Sequence, residues 1–106
     1  MVRIDIYRDA AGAIAAFAVN GHAGTAPHGQ DIVCAGVAAL TQTAVLGLER
    51  HLRRDIDLDI GSGKLILKLK GAADASTDAI LETMLLGLAE IAKQSPQSVR
   101  ITEHRR

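Results

Sequence analysis

Apolar and polar positions alternate from the start of the chain, with Val2, Ile4 and Ile6 set against Arg3, Asp5 and Tyr7. A period of two is the mark of a half-buried strand and predicts one over Val2 to Arg8. Asp9-Ala10-Ala11-Gly12 is turn chemistry. A second strand is expected from Ala13 to Asn20, carrying Ile14, Phe17 and Val19. Gly21 to Gln30 holds three glycines, a proline and no large apolar side chain, and reads as a loop. The period then changes. Val33, Val37, Leu40, Ala44 and Leu48 recur at steps of four and three and share one helical face. Asp31 is an N-cap type just before that periodicity, so the helix is expected to open there. His51, Arg53 and Arg54 suit its negative C-terminal end.

The next segment alternates strictly. Asp55 to Ile60 runs out, Gly61-Ser62-Gly63 turns, and Lys64 to Lys70 runs back. One strand is edged with carboxylates and the other with ammoniums, so cross-strand pairing favours this register. Exposed pairs of this kind contribute only about 0.2–1 kcal/mol each. The alternation is a solvated face and not a metal site. A second helix is expected from Thr77 to Gln94, with Leu81, Leu85, Leu88 and Ile91 or Ala92 as its stripe and Met84 as core filler. Pro96 closes it. Gln97 to Glu103 forms a last strand, followed by the polar tail His104-Arg105-Arg106. The order is ββαββαβ. An α+β fold follows: a mixed, mostly antiparallel sheet packed with two helices, in a single domain over residues 1–106.

Composition sharpens this picture. Lys and Arg number 12 against 12 Asp and Glu, so the formal net charge is zero. That balance argues against a dedicated nucleic-acid binder, which carries a basic excess. The first ten residues contain no apolar leader. Charges are expected to interrupt every window that could span a membrane, so a cytoplasmic protein is expected. Hydrophobic residues make up 48% of the chain, but Ala supplies much of this and only Tyr7 and Phe17 are aromatic. Such small side chains call for close packing of elements or for burial against a second subunit. One cysteine excludes an internal disulfide framework and a multi-thiolate zinc site.

No dinucleotide, P-loop, zincin or nucleophile-elbow motif is present. Ser62 lies in a hairpin turn, and His28, His51 and His104 read as surface imidazoles. One constellation remains, Gly21-His22-Ala23 followed by Asp31-Ile32-Val33-Cys34-Ala35. If the helix opens at Asp31, Cys34 falls in its first turn, where unpaired N–H groups and the macrodipole stabilise a thiolate. The return from the second strand to that helix would bring His22 towards Cys34, able to take the thiol proton and return it to a leaving amine. Backbone N–H groups near Cys34 would serve a developing oxyanion. The plainer alternative stands beside this one. Cys34 between Val33 and Ala35 suits a small buried hydrophobe in a non-catalytic, dimeric binding or ribosome-assembly module. Asp31 could cap the helix or orient His22.

The pattern Gly21-His22-Ala23, a loop containing Gly29, Asp31-Ile32-Val33-Cys34-Ala35 and the helix ending Leu46-Gly47-Leu48-Glu49 resembles the Prp family. These are bacterial ribosomal-processing cysteine proteases, and the resemblance covers nearly the whole chain. It implies a homodimeric endopeptidase that removes a short N-terminal extension from a large-subunit ribosomal protein. His22 is then the base and Cys34 the nucleophile, with Asp31, Gly21 and Ala35 in support and no metal or organic cofactor. The loop Gly24 to Gln30 would act as a cover over the site. Two departures stand out. Many members carry a serine where this chain has Ala38, and the loop has Thr25, Ala26, Pro27 and His28 in place of acidic or tyrosyl residues. Both bear on substrate preference.

Overall fold

The computed structural model describes residues 1–21 and 28–105, with the backbone alone for residues 28–31. The alternating start forms β1 (Val2–Arg8), which turns back into β2 (Ile14–Asn20). The Asp9 carboxylate accepts hydrogen bonds from the N–H groups of Ala11 and Ala13 and closes the turn. A β-bulge interrupts the pairing between Tyr7 and Arg8. An extra residue on β2 changes its parity, so both Ile14 and Phe17 point into the core at 0% exposure.

Beyond the segment that follows Gly21, helix α1 runs from His28 to Leu46 and continues into a π-helical turn, Gly47–His51. The hairpin β3 (Ile56–Gly61) and β4 (Lys64–Leu69) comes next, then α2 (Ala75–Gln94) and β5 (Val99–Arg105). The sheet order is β3-β4-β2-β1-β5. Only β1 and β5 pair in parallel. The expected class and order of elements hold, with shifted ends. Helix α2 starts before Thr77, because Asp74 and Thr77 form a reciprocal cap. The Thr77 N–H donates to the Asp74 carboxylate and the Asp74 N–H to the Thr77 hydroxyl, each at 2.9 Å.

The expected tail is strand as far as Arg105. Polar residues extend β5 alongside β1, where Glu103 meets Arg8 and His104 meets Asp5. His104 Nε2 lies 2.8 Å from Asp5 and its ring stacks on Tyr7 with centroids 4.7 Å apart. Arg54 also departs from expectation. Its guanidinium donates to the carbonyls of Lys70 and Ala72 and meets Asp74 at 3.2 Å, so it ties down the β4–α2 connection and does not complement the end of α1.

Both helices pack on one face of the sheet. Two rows of side chains cross that face in register, Ile101-Ile4-Val19-Leu65-Ile60 and Ile6-Phe17-Leu67-Leu58. Burial fades along each row towards the edge strand β3, where Leu58 is 39% and Ile60 60% exposed. The hairpin ion pairs are diagonal, Lys64 to Asp59 at 2.9 Å and Lys70 to Asp57 at 3.6 Å. The α1 stripe is centred on Val37, Thr41, Ala44, Val45 and Leu48, with Val33 and Leu40 at its margin. The helices approach closely because a glycine faces a large side chain at each contact. Gly36 meets Ile91, Gly47 meets Ile80, and a Cβ on Gly87 would lie 2.8 Å from Leu40. From Ile32 to Leu48 no residue is charged. The stretch Ile32–His51 is therefore long and apolar enough to cross a membrane by length and composition. This corrects the expectation that charge interrupts every such window. Here one face of the stretch fills the core.

Candidate active site

Cys34 lies half-buried on α1, at a cleft of about 220 Å³ between that helix and the sheet. Val37, Ala38 and Thr41 continue the helical wall, and Val19 and Leu65 form the floor. The far rim comes from the β3–β4 hairpin through Ile60, Gly61, Gly63 and Lys64. Gly21 also lines this cleft. Two positions from the sequence constellation, thirteen residues apart in the chain, therefore share one cavity.

Gly21 is constrained there. Its φ is +93°, in the left-handed region open to glycine, and a Cβ would collide with the Met1 carbonyl. Its N–H donates to the Gly63 carbonyl at 2.9 Å, tying the exit of β2 to the hairpin turn. The chain leaves this fixed point as His22. The side chains of His22 and Asp31 lie outside the described residues, as does the loop expected to cover the site. Ala35 is exposed on the outer face of α1, away from the cleft.

The helix start differs from expectation. Helix α1 opens at His28, so Asp31 is inside it and is not the N-cap. Apolar periodicity begins only at Val33, and a cap inferred from periodicity misses a polar first turn. Cys34 is consequently in the second turn. An N–H at that depth is bonded to the carbonyl four residues earlier, and the macrodipole's influence falls off within the first turn. The expectation that a helix start holds the thiolate, and that the Cys34 N–H serves an oxyanion, does not carry over to this geometry.

Polar groups in the cleft are few. The Thr41 hydroxyl donates to the Val37 carbonyl at 2.8 Å and is 2% exposed, so it is already satisfied by its own helix. Lys64 is the one charged residue among the described lining, and its ammonium is 2.9 Å from Asp59. Ala38 presents a methyl group one helical turn beyond Cys34, where the resembling family often has a hydroxyl. Among the described residues no three His, Cys, Asp or Glu side chains are grouped to hold a metal ion. Sequence reasoning missed the hairpin rim. Nothing local marks Ile60, Gly63 or Lys64 as part of a site. Only the placement of β4 beside β2 brings them there.

A model of the family described as cysteine protease Prp matches residues 1–100. The ribosomal processing cysteine protease Prp of Staphylococcus aureus is 30% identical over 104 residues, covering 95% of this chain and 97% of that protein. The protein of the same description from Bacillus subtilis is 31% identical over 108 residues, covering 96% of each. The structure of the S. aureus protease in complex with a substrate peptide superposes with a TM-score of 0.90 at 24% identity, over 98% of this chain and 100% of that one. At that identity the superposition establishes the fold.

Proposed function

The chain belongs to the Prp family of cysteine proteases, and from that premise we propose that it removes an N-terminal extension from a large-subunit ribosomal protein. Cys34 is the nucleophile in this reading and His22 the general base and acid. The relatives are named for ribosomal processing. One observation carries the assignment of residues: Cys34 and Gly21, the residue that precedes His22, line the same cleft.

The chemistry balances within those two side chains, the substrate and one water. The Cys34 thiol proton passes to His22 and the sulfur bonds to the scissile carbonyl carbon. The C–N bond breaks as His22 returns the proton to the departing amine. Water then attacks the thioester with His22 as base, releasing the acid and the free enzyme. No metal or organic cofactor takes part. Gly21 positions His22 through its φ and its bond to Gly63, while Asp31 supports the site. The substrate tail lies extended in the cleft, with its apolar groups against Val19, Val37 and Leu65. The working unit is one domain over residues 1–106, acting in the cytoplasm as a homodimer.

The test is to incubate the protein with the extended ribosomal protein from the same organism and weigh the products. A single cut near the N-terminus is expected, lost in Cys34→Ser and in His22→Ala while both variants still bind the tail. Unchanged cleavage by Cys34→Ser would refute the assignment.

A further inference from the structure

The helices cover one face of the sheet, and the strand register fixes what the other face carries. One row across it runs His104, Tyr7, Ala16 and Lys68 on β5, β1, β2 and β4. The row beside it carries Asp5, Ala18 and Ile66, and the next carries Arg100, Arg3 and Asn20. Between taller side chains on β1 and β4, strand β2 contributes the methyl groups of Ala16 and Ala18. The result is a trough of about 530 Å³ along β2, walled by Tyr7 on one side and by Ile66 and Lys68 on the other. Phe17 fills the core, while Tyr7, the other aromatic residue, is 41% exposed on this face.

The trough has a specific shape. The Tyr7 and His104 rings lie 13° from parallel with centroids 4.7 Å apart, which matches the spacing of adjacent strands. Both rings therefore stand upright on their strands, stacked across the sheet. Asp5 holds the outer ring in place, 2.8 Å from His104 Nε2. The second face of Tyr7 is turned towards β2, where Ala16 rises no higher than a methyl group. Lys68 stands two strand spacings from Tyr7, roughly 10 Å. A flat ring entering between them would extend the stack, with the lysine stem as its far wall.

Charge indicates what that ring carries. Among the described residues, Arg3, Arg100 and Lys68 are exposed and have no ion-pair partner. Lys68 borders the slot. Arg3 and Arg100 are paired four residues along the strands from Tyr7 and His104, roughly 13 Å away. Asn20, at that end of the trough, offers an amide to a base edge or a ribose hydroxyl. Single-stranded nucleic acid combines these features, since its bases stack on aromatic side chains and its backbone is tracked by cations. An acidic peptide would use the cations and leave the upright ring slot without a purpose. Zero net charge excludes a dedicated binder and sets the expected affinity low.

We propose that the helix-free face of the sheet binds a short single strand of RNA, with one base standing over Ala16 between Tyr7 and Lys68. The choice of RNA over DNA rests on the ribosomal role proposed above. The slot itself rests on the sheet geometry alone. This face lies across the sheet from Cys34, so a strand held there leaves the cleft open.

Fluorescence anisotropy of a labelled, unstructured RNA of about twelve nucleotides, titrated with the whole chain at low salt, tests this. Saturable binding with a Kd on the order of 10 µM is expected. Tyr7→Ala removes the stack, and Ala16→Leu fills the slot without changing charge. Each should weaken binding about tenfold or more. Arg3→Glu should weaken it and flatten its salt dependence. Circular dichroism and the urea midpoint check that the variants fold. Cleavage is read in parallel and should be unchanged in all three, so the protease reading and this one fail separately. No saturable binding by the unaltered chain overturns the proposal. Weakening by Arg3→Glu alone, with Tyr7→Ala and Ala16→Leu unaffected, is phosphate attraction without a slot and also overturns it. Tighter binding of a DNA strand of the same sequence, of an RNA duplex or of a polyglutamate peptide assigns the face to another partner and overturns it as well.

Discussion

The two helices are nearly equal in length, 19 residues in α1 and 20 in α2, yet they are held by opposite means. Polar chemistry anchors α2 at its N-terminus and near its middle. Asp74 and Thr77 cap it reciprocally. Farther along, Arg8 grips Glu82 through two nitrogens at 2.8 and 3.1 Å, meets Glu103 at 2.7 Å, and donates to the Gly12 carbonyl. One guanidinium thus joins α2, β5 and the β1–β2 turn. Helix α1 has no charge between Ile32 and Leu48, and over that stretch it packs through Val37, Ala44, Val45 and Leu48 and through the glycine contacts with α2. The difference teaches where function can be accommodated. Ion pairs and a cap fix α2 as scaffold, while a helix held by one packed stripe leaves a flank open for the cleft.

Exchanging the roles of the helices gives the sharpest break. Cys34→Ser on α1 should lower cleavage at least about 10⁴-fold, the scale of losing a nucleophile, and leave the urea midpoint nearly unchanged. Leu81→Ala on α2 should do the reverse. Leu81 is 0% exposed, and truncation at such a site costs about 2–5 kcal/mol, with cleavage per folded molecule preserved. If Leu81→Ala lowers turnover of folded enzyme as strongly as it lowers stability, the separation of scaffold from site is wrong.

Smaller effects probe the anchors. Asp74→Ala removes the acceptor of the cap and should lower the urea midpoint at neutral pH, by less than Leu81→Ala does. The Thr77 N–H bond holds the Asp74 carboxyl below the ordinary carboxylate range. The Arg8 hydrogen bond does the same for Glu82 and raises the Arg8 guanidinium still further above neutrality. A carboxyl depressed on folding contributes stability that is complete above the unfolded value of about 4.3. That contribution disappears as pH falls through the folded value. The unaltered chain should therefore lose more stability than Glu82→Gln between about pH 5 and pH 3. Because Glu82 is 38% exposed, solvent screening keeps the difference below about 1 kcal/mol. Parallel pH profiles of the two proteins would contradict the assigned strength of the Arg8 clasp.

Much of this was legible in the residues. The period of two in β1 and β3–β4 and the period near 3.6 in both helices predicted those elements, and the strands and helices follow the expected order, while the π-helical turn Gly47–His51 was not expected. Periodic burial is a property of a segment facing a core, whichever core that is. Element ends were less legible. Strand β5 runs through His104 and Arg105 because Asp5, Tyr7 and Glu82 lie opposite or close by, and α1 begins at His28 before any apolar period starts. The Asp74–Thr77 cap was readable, since an acidic residue three before Thr77 is a capping signal, but the apolar stripe drew the boundary inward. At the site, the Gly21-His22-Ala23 and Cys34 pattern was visible as a constellation, and family resemblance gave it chemical meaning. The hairpin rim was not visible, because its residues match an ordinary turn.

By itself the order of residues determined the elements, the single thiol, the neutral charge balance and a helical stretch, Ile32 to Leu48, without a charged residue. Those properties depend on neighbours within a few positions along the chain. Tertiary structure decided that β4 lies beside β2, that Gly21 and Cys34 open onto one cavity, and which flank of α1 is left uncovered. These are relations between distant segments, fixed by strand pairing and by the fit of glycines against Leu40, Ile80 and Ile91.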